Sequence, residues 1–171
     1  MKKVAIGLSL VSAAALLAGI FLPWIHYQSG SIGGFSISYS LSGWGVFHDT
    51  SWFDNIALGA LKVDSDVHAL IVFIASIVML LCALAAFVLS LKSKGDNAGI
   101  GALGIIISLA AVVAIGGLAW FLADMSSVDN WSDYIGAGIY VCGAGAVLGL
   151  VGGILASVKG SSRSIPGSEQ A

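Results

Sequence analysis

Asp64-x-Asp66-x-His68 sets two carboxylates and an imidazole at alternate positions, a spacing that turns all three to one side of an extended segment. Oxygen and nitrogen donors so grouped suit a divalent cation, and His48-Asp49 could approach them across a loop. The same acids stand where a long apolar run begins. There a carboxylate caps free N–H groups and answers the positive end of the helix dipole, which accounts for Asp64 and Asp66 more simply. No resident metal and no cofactor are therefore expected. No Ser-His-Asp set or carboxylate pair has an identifiable catalytic spacing, so the chain is expected not to be an enzyme. Cys82 and Cys142 fall at different depths of different apolar runs, which does not suit a disulfide, and read as small inert packing residues.

The elements that must hold these residues are set by composition. Of 171 residues, 58% are hydrophobic and only 9% charged, with 23 glycines and a mean hydropathy of +1.00. That balance belongs to a chain whose solvent is lipid. No nucleic-acid partner is expected at a formal net charge of -2. Four uncharged apolar runs reach the length of a bilayer span, at about 4–23, 69–91, 98–123 and 135–158. They predict an all-α membrane protein, a single four-helix bundle over 1–158, followed by a short disordered tail at 159–171. Lys2 and Lys3 before the first run resemble the start of a signal peptide, but about 20 apolar residues exceed an ordinary signal core. LLAGI also resembles a lipoprotein cleavage box, yet Ile20 stands where the acylated cysteine is needed. An uncleaved helix is expected.

Orientation follows from the basic residues. An inner amino terminus places Lys2, Lys3, Lys92, Lys94, Lys159 and Arg163 inside, six of the seven, and leaves Lys62 outside. Both termini are then cytoplasmic, in a multi-pass protein of the plasma membrane. Seven of the nine acids fall on the outer side: Asp49, Asp54, Asp64, Asp66, Asp124, Asp129 and Asp133. Trp24, Trp44, Trp52, Trp120 and Trp131 also fall in outer loops or at outer helix ends, where an indole suits the headgroup level. The asymmetry suggests that aromatic rings fill a small core capping the bundle.

The long outer loop, 24–68, carries its own pattern. Phe35, Ile37, Tyr39 and Leu41 alternate with Ser36, Ser38, Ser40 and Ser42, the period-two mark of a strand with one apolar face. Trp24 to Gln28 alternates too, and Ser29 to Gly34 supplies a turn. An antiparallel hairpin above the hydrocarbon is expected, since an open sheet edge does not survive within it. Ser51-Trp52-Phe53-Asp54 fits a capping pattern for one or two helical turns further on. Trp44, Phe47, Trp52 and Phe53 are the expected partner-binding anchors, because large aromatics dominate interface energetics.

Four spans, inner termini, a long stranded first outer loop and a short second one resemble the topology of claudins and peripheral myelin proteins. Trp24 after the first span and Ser42-Gly43-Trp44 are similar to the tryptophan and Gly-Leu-Trp elements of the claudin first loop. The resemblance is architectural. This loop has no cysteine where that family carries a disulfide pair, and no leucine separates Gly43 from Trp44.

Within those run boundaries no Asp, Glu, Lys, Arg or His interrupts any span, so a proton relay or voltage sensor is not expected. Small residues take their place. Gly145, Gly149 and Gly153 recur at four-residue intervals, continued by Ser157, beside a second ridge of Gly138, Cys142 and Ala146. Such ridges let helices approach closely in lipid, either inside the bundle, with Gly101, Gly104 and Ser108 as partner, or against another molecule. Asn130-Trp131-Ser132 matches a glycosylation sequon on the outer side, which matters only in a glycosylating host. The sequence thus points to a non-catalytic tetraspan acting as scaffold, adhesion element or accessory subunit. Its partners would be the lipid bilayer, another membrane or surface protein, or further copies of itself. The alternative is a small transport or permeation component, alone or as an oligomer.

Overall fold

The computed structural model describes residues 2–32, 35–48, 66–92, 97–126 and 130–160. In chain order these form α1 (Lys2–Phe21), β1 (Pro23–Ile32), β2 (Phe35–Ser42), α2 (Gly43–His48), α3 (Asp66–Lys92), α4 (Asn97–Met125), a 3-10 turn (Trp131–Tyr134) and α5 (Ala137–Gly160). The fold is mostly helical, with four long apolar helices and one small antiparallel sheet. α1 and α4 lie on opposite corners, each packed against both α3 and α5. The stretches Lys3–Phe21, Val67–Leu91, Gly99–Met125 and Ala137–Val158 are each long and apolar enough to cross a bilayer.

The surface explains why. Large apolar side chains point outward on every long helix: Val11 of α1, Leu81 of α3, Leu109 of α4 and Val158 of α5 are all more than half exposed. The interior mixes small residues, Ala13, Ala83, Ala111, Ala114 and Ala146 among them, with large ones such as Leu16, Met79, Ile107 and Phe121. Water would leave such an outer shell unburied, whereas a lipid environment would solvate it and reserve close contact for helix against helix.

Glycines set how near the helices come. A methyl group on Gly145 would lie 3.1 Å from the Leu16 amide nitrogen of α1, and Ser12 Oγ donates to the Gly145 carbonyl at 2.6 Å. Gly149 also faces Ser12, and the void it leaves admits the methyl end of Met79 from across the bundle. Gly153 turns elsewhere. A methyl there would sit 2.7 Å from the Gly104 carbonyl oxygen and 2.8 Å from the Ser108 amide of α4. The row of three therefore serves two helix pairs, because a four-residue step drifts around the helix by about 40° each time. The positions of α5 that meet α1 run instead through Gly138, Cys142, Gly145, Gly149 and Gly152.

Helix ends depart from the hydropathy limits for local reasons. α1 stops at Phe21 because Pro23 has no N–H with which to continue it, and β1 begins there. α3 starts earlier, at Asp66, and α4 runs on to Met125. α5 starts only at Ala137, since Ile135 is bridged to Ile25 and the Gly136 N–H donates to the Trp24 carbonyl at 2.8 Å.

β1 and β2 pair antiparallel, with Ile25 opposite Leu41, His26 opposite Ser40, Tyr27 opposite Tyr39 and Ile32 opposite Phe35. The turn is shorter than the sequence suggested. The strands extend to Ile32 and resume at Phe35, so Ser29 to Ile32 belong to β1 and only Gly33 and Gly34 connect the two. Ile25 and Leu41 are buried while His26 and Ser40 are exposed, so the base of the hairpin lies with one face on the bundle.

Candidate functional site: the capped end of the bundle

Trp24 is the centre of the cap. The register slips between Pro23 and Ile25, where β1 spends an extra residue that β2 does not match. Such a bulge re-aims a side chain. Here the indole is fully buried, meeting Phe121 of α4 edge to face at 5.3 Å between centroids. Its Nε1 donates to the Gly19 carbonyl at 3.0 Å. In a continuing helix that carbonyl would accept from residue 23, but residue 23 is proline. Trp24 thus closes both a volume and an orphaned acceptor.

Glycines make room for the ring. A methyl on Gly43 would lie 2.5 Å from Trp24 Cε2, and one on Gly138 would lie 2.6 Å from Trp24 Cδ1. Gly43 opens α2, whose start is capped by Ser42: the Gly45 N–H donates to Ser42 Oγ at 3.0 Å. Trp44 follows and is half-buried, packed on Phe21 of α1 at 5.9 Å and edge to face on Phe73 of α3 at 5.3 Å. Hairpin, α2 and the Ile135–Gly136 segment are thereby tied to all four long helices.

Of the four aromatic anchors expected from sequence, Trp44 is thus set against the bundle itself. Phe47 lies in α2, with its side chain outside the described residues, and Trp52 and Phe53 lie outside them altogether. Of the cation candidates, Asp64 is outside the described residues and Asp66 is the first residue of α3. Asn130 is exposed in a left-handed conformation at φ 56°, a geometry asparagine tolerates.

His68 stands in a different setting from the one its neighbours in sequence suggested. It is 2% exposed, with Nε2 3.2 Å from Asp124 Oδ2 on α4. The approach is close, but its alignment is not that of a hydrogen bond. Neither ring nitrogen has an aligned acceptor or donor among the described residues. Trp120 meets the imidazole edge to face at 4.5 Å, with Phe121 behind it at 6.4 Å. No group of three or more His, Cys, Asp or Glu among the described residues is placed to hold a metal ion. The runs 69–91 and 98–123 themselves hold no Asp, Glu, Lys, Arg or His; His68 and Asp124 sit just beyond them, at the helix ends. α3 and α4 extend past their hydropathy limits, and the added turns contain His68 and Asp124. The available signal was positional, since a histidine at the start of one run and an aspartate at the end of the next share one end of an antiparallel pair.

This pair has a measurable consequence. His68→Ala removes a buried ring and leaves Asp124 facing a cavity, and is expected to cost about 2–3 kcal/mol. His68→Phe keeps the volume and the edge contact with Trp120 and should cost about 1 kcal/mol or less. Equilibrium unfolding in mixed micelles measures both. Equal losses would show that the polar pairing, not the ring, holds the helix ends together.

Cys142 is buried and its Sγ lies 3.6 Å from the Leu16 carbonyl, while Cys82 is half-buried; neither is in a disulfide. The chain matches no protein-family model, and no curated protein matches it at a significant level. Fold and site together define a class: a bundle of four helices of membrane-crossing length, closed at one end by a two-stranded antiparallel sheet.

Proposed function

We propose that this chain is a non-catalytic, multi-pass protein of the plasma membrane, and that its capped outer end engages another membrane or surface protein. It would act there as a scaffold, adhesion element or accessory subunit. The observation that carries this reading is the anchoring of the hairpin. A two-stranded ribbon is marginal by itself, yet Trp24, Ile25 and Leu41 bury its base in the bundle core. A rigid platform loses little entropy on binding, so its contacts convert more fully into affinity. The claudin-like arrangement of a stranded first outer loop over four spans belongs to the same proposal.

Topology is tested by labelling. In a Cys82→Ala/Cys142→Ala background, single cysteines at Ser31 and Ser127 are expected to react with an impermeant reagent added outside, and one at Ser93 only after permeabilisation. The opposite pattern would reverse the orientation.

The binding role is tested at the aromatics. Co-purification in mild detergent with mass spectrometry should yield a stoichiometric partner. Trp52→Ala is expected to lose at least tenfold in partner recovery while staying folded and membrane-inserted. Trp44→Ala, which strips packing from Phe21 and Phe73, should lower the melting temperature as well. If both variants lose only stability while their folded fraction still binds, the aromatics are structural and the cap is not the binding face.

A further inference from the structure

The two strands of the hairpin have unlike outer edges. At its base, β1 is met on the far side by Ile135, bridged antiparallel to Ile25, and by the Gly136 N–H bonded to the Trp24 carbonyl. Among the described residues β2 pairs only with β1, and none of them pairs with the other side of Phe35–Ser42. Nothing in its sequence guards that side. FSISYSLS contains no charge, no proline and no glycine, the devices with which natural edge strands turn a further strand away.

The pattern of β2 indicates what fits it. Apolar residues alternate strictly with serine, so an antiparallel copy laid about a twofold at Ser38 sets Ile37 opposite Tyr39, Ser36 opposite Ser40 and Phe35 opposite Leu41. Like meets like at every position, with no charge to resist the approach. The twofold of an antiparallel strand pair runs perpendicular to the sheet. At the base of the hairpin Ile25 and Leu41 are buried toward the bundle and His26 and Ser40 are exposed; the pairing requires that perpendicular to run along the bundle. Two copies standing side by side in one membrane, with the same orientation, are related by an axis of that direction.

We infer that β2 is a self-association edge: two copies of this chain join β2 to β2 antiparallel, making a four-stranded sheet across an isologous dimer. The inference rests on the reading of the capped end as the binding face and names its partner as a second copy. Across such a pair the Cα atoms on the twofold come to about 4.5–5.5 Å, within reach of a disulfide.

The test uses the full chain reconstituted in lipid vesicles at low protein density, with Cys82 and Cys142 replaced by alanine. Mild oxidation of Ser38→Cys is expected to give a crosslinked dimer at least fivefold above Ser132→Cys, an exposed position near the same end. A mixture of Ser36→Cys and Ser40→Cys chains should crosslink better than either alone. Ser38→Lys, which sets two like charges on the axis, should shift the mass in lipid nanodiscs from dimer to monomer while the chain stays folded. A monomeric wild type in which no β2 cysteine exceeds Ser132→Cys overturns the inference. If that monomer still holds a different stoichiometric partner through the cap, the binding-face reading survives its loss; if it holds none, both fall.

Discussion

Trp24→Ala is expected to destabilise the bundle more than any other single truncation, by about 4–6 kcal/mol. Two losses combine. Removing a fully buried indole costs about 3–5 kcal/mol in transfer and cavity terms, and the ring here contacts Phe121, Gly43 and Gly138 at once, so little can collapse into the space. The Gly19 carbonyl then loses the Nε1 donor that stands in for the missing Pro23 N–H, a buried unsatisfied acceptor worth about 1–3 kcal/mol. Trp24→Phe separates the two, because it keeps much of the volume and none of the donor. Its expected cost is about 2–3 kcal/mol. Unfolding in mixed micelles gives both values, and hydrogen exchange should show Ile25 and Gly136 losing protection in Trp24→Ala while the halves of α3 and α4 far from the cap keep theirs. A Trp24→Ala protein as stable as the wild type would mean that the indole fills the cap without holding it.

Gly138→Ala is the second large effect, and Gly143→Ala in the same helix is its control. A methyl on Gly138 would stand 2.6 Å from the Gly19 carbonyl oxygen, 2.7 Å from the Leu22 carbonyl oxygen and 2.6 Å from Trp24 Cδ1. Two of those neighbours are backbone and cannot swing aside, so α1 and α5 must separate at their capped ends. Overpacking of this kind costs about 1–3 kcal/mol or more, against the roughly 1 kcal/mol that alanine gains over glycine in a helix. A net loss of up to about 2 kcal/mol is expected. Gly143 has nothing within 4 Å of the position a methyl would take, so there only the helix gain remains and stability should rise slightly. If both substitutions raised stability, α1 and α5 would be packed more loosely than the geometry describes.

The four spans and the hairpin were legible in the sequence because each is written in local periodicity. Twenty or so apolar residues without charge have one economical answer in lipid, and alternation of apolar residues with serine has one on a sheet. Sequence also placed the aromatic residues at one end, since hydropathy orders residues along the membrane normal. It carried no information about rotation around that normal. Gly138 and Gly143 look alike in the chain, yet a methyl on one would strike the Gly19 and Leu22 carbonyls and a methyl on the other would meet nothing within 4 Å. Gly145, Gly149 and Gly153 read as one ridge and divide between α1 and α4. Trp24 was half readable: Pro23 four residues after Gly19 announces a carbonyl without a donor, but only the bulge and the packing of α4 and α5 decide that the indole turns inward to meet it. His68 seemed to belong with the acids beside it in sequence, and α4 sets Asp124 against it instead. Such contacts are made by residues far apart along the chain, whose pairing depends on helix rotation and separation. Those quantities come from steric fit among four helices at once, which no local pattern encodes.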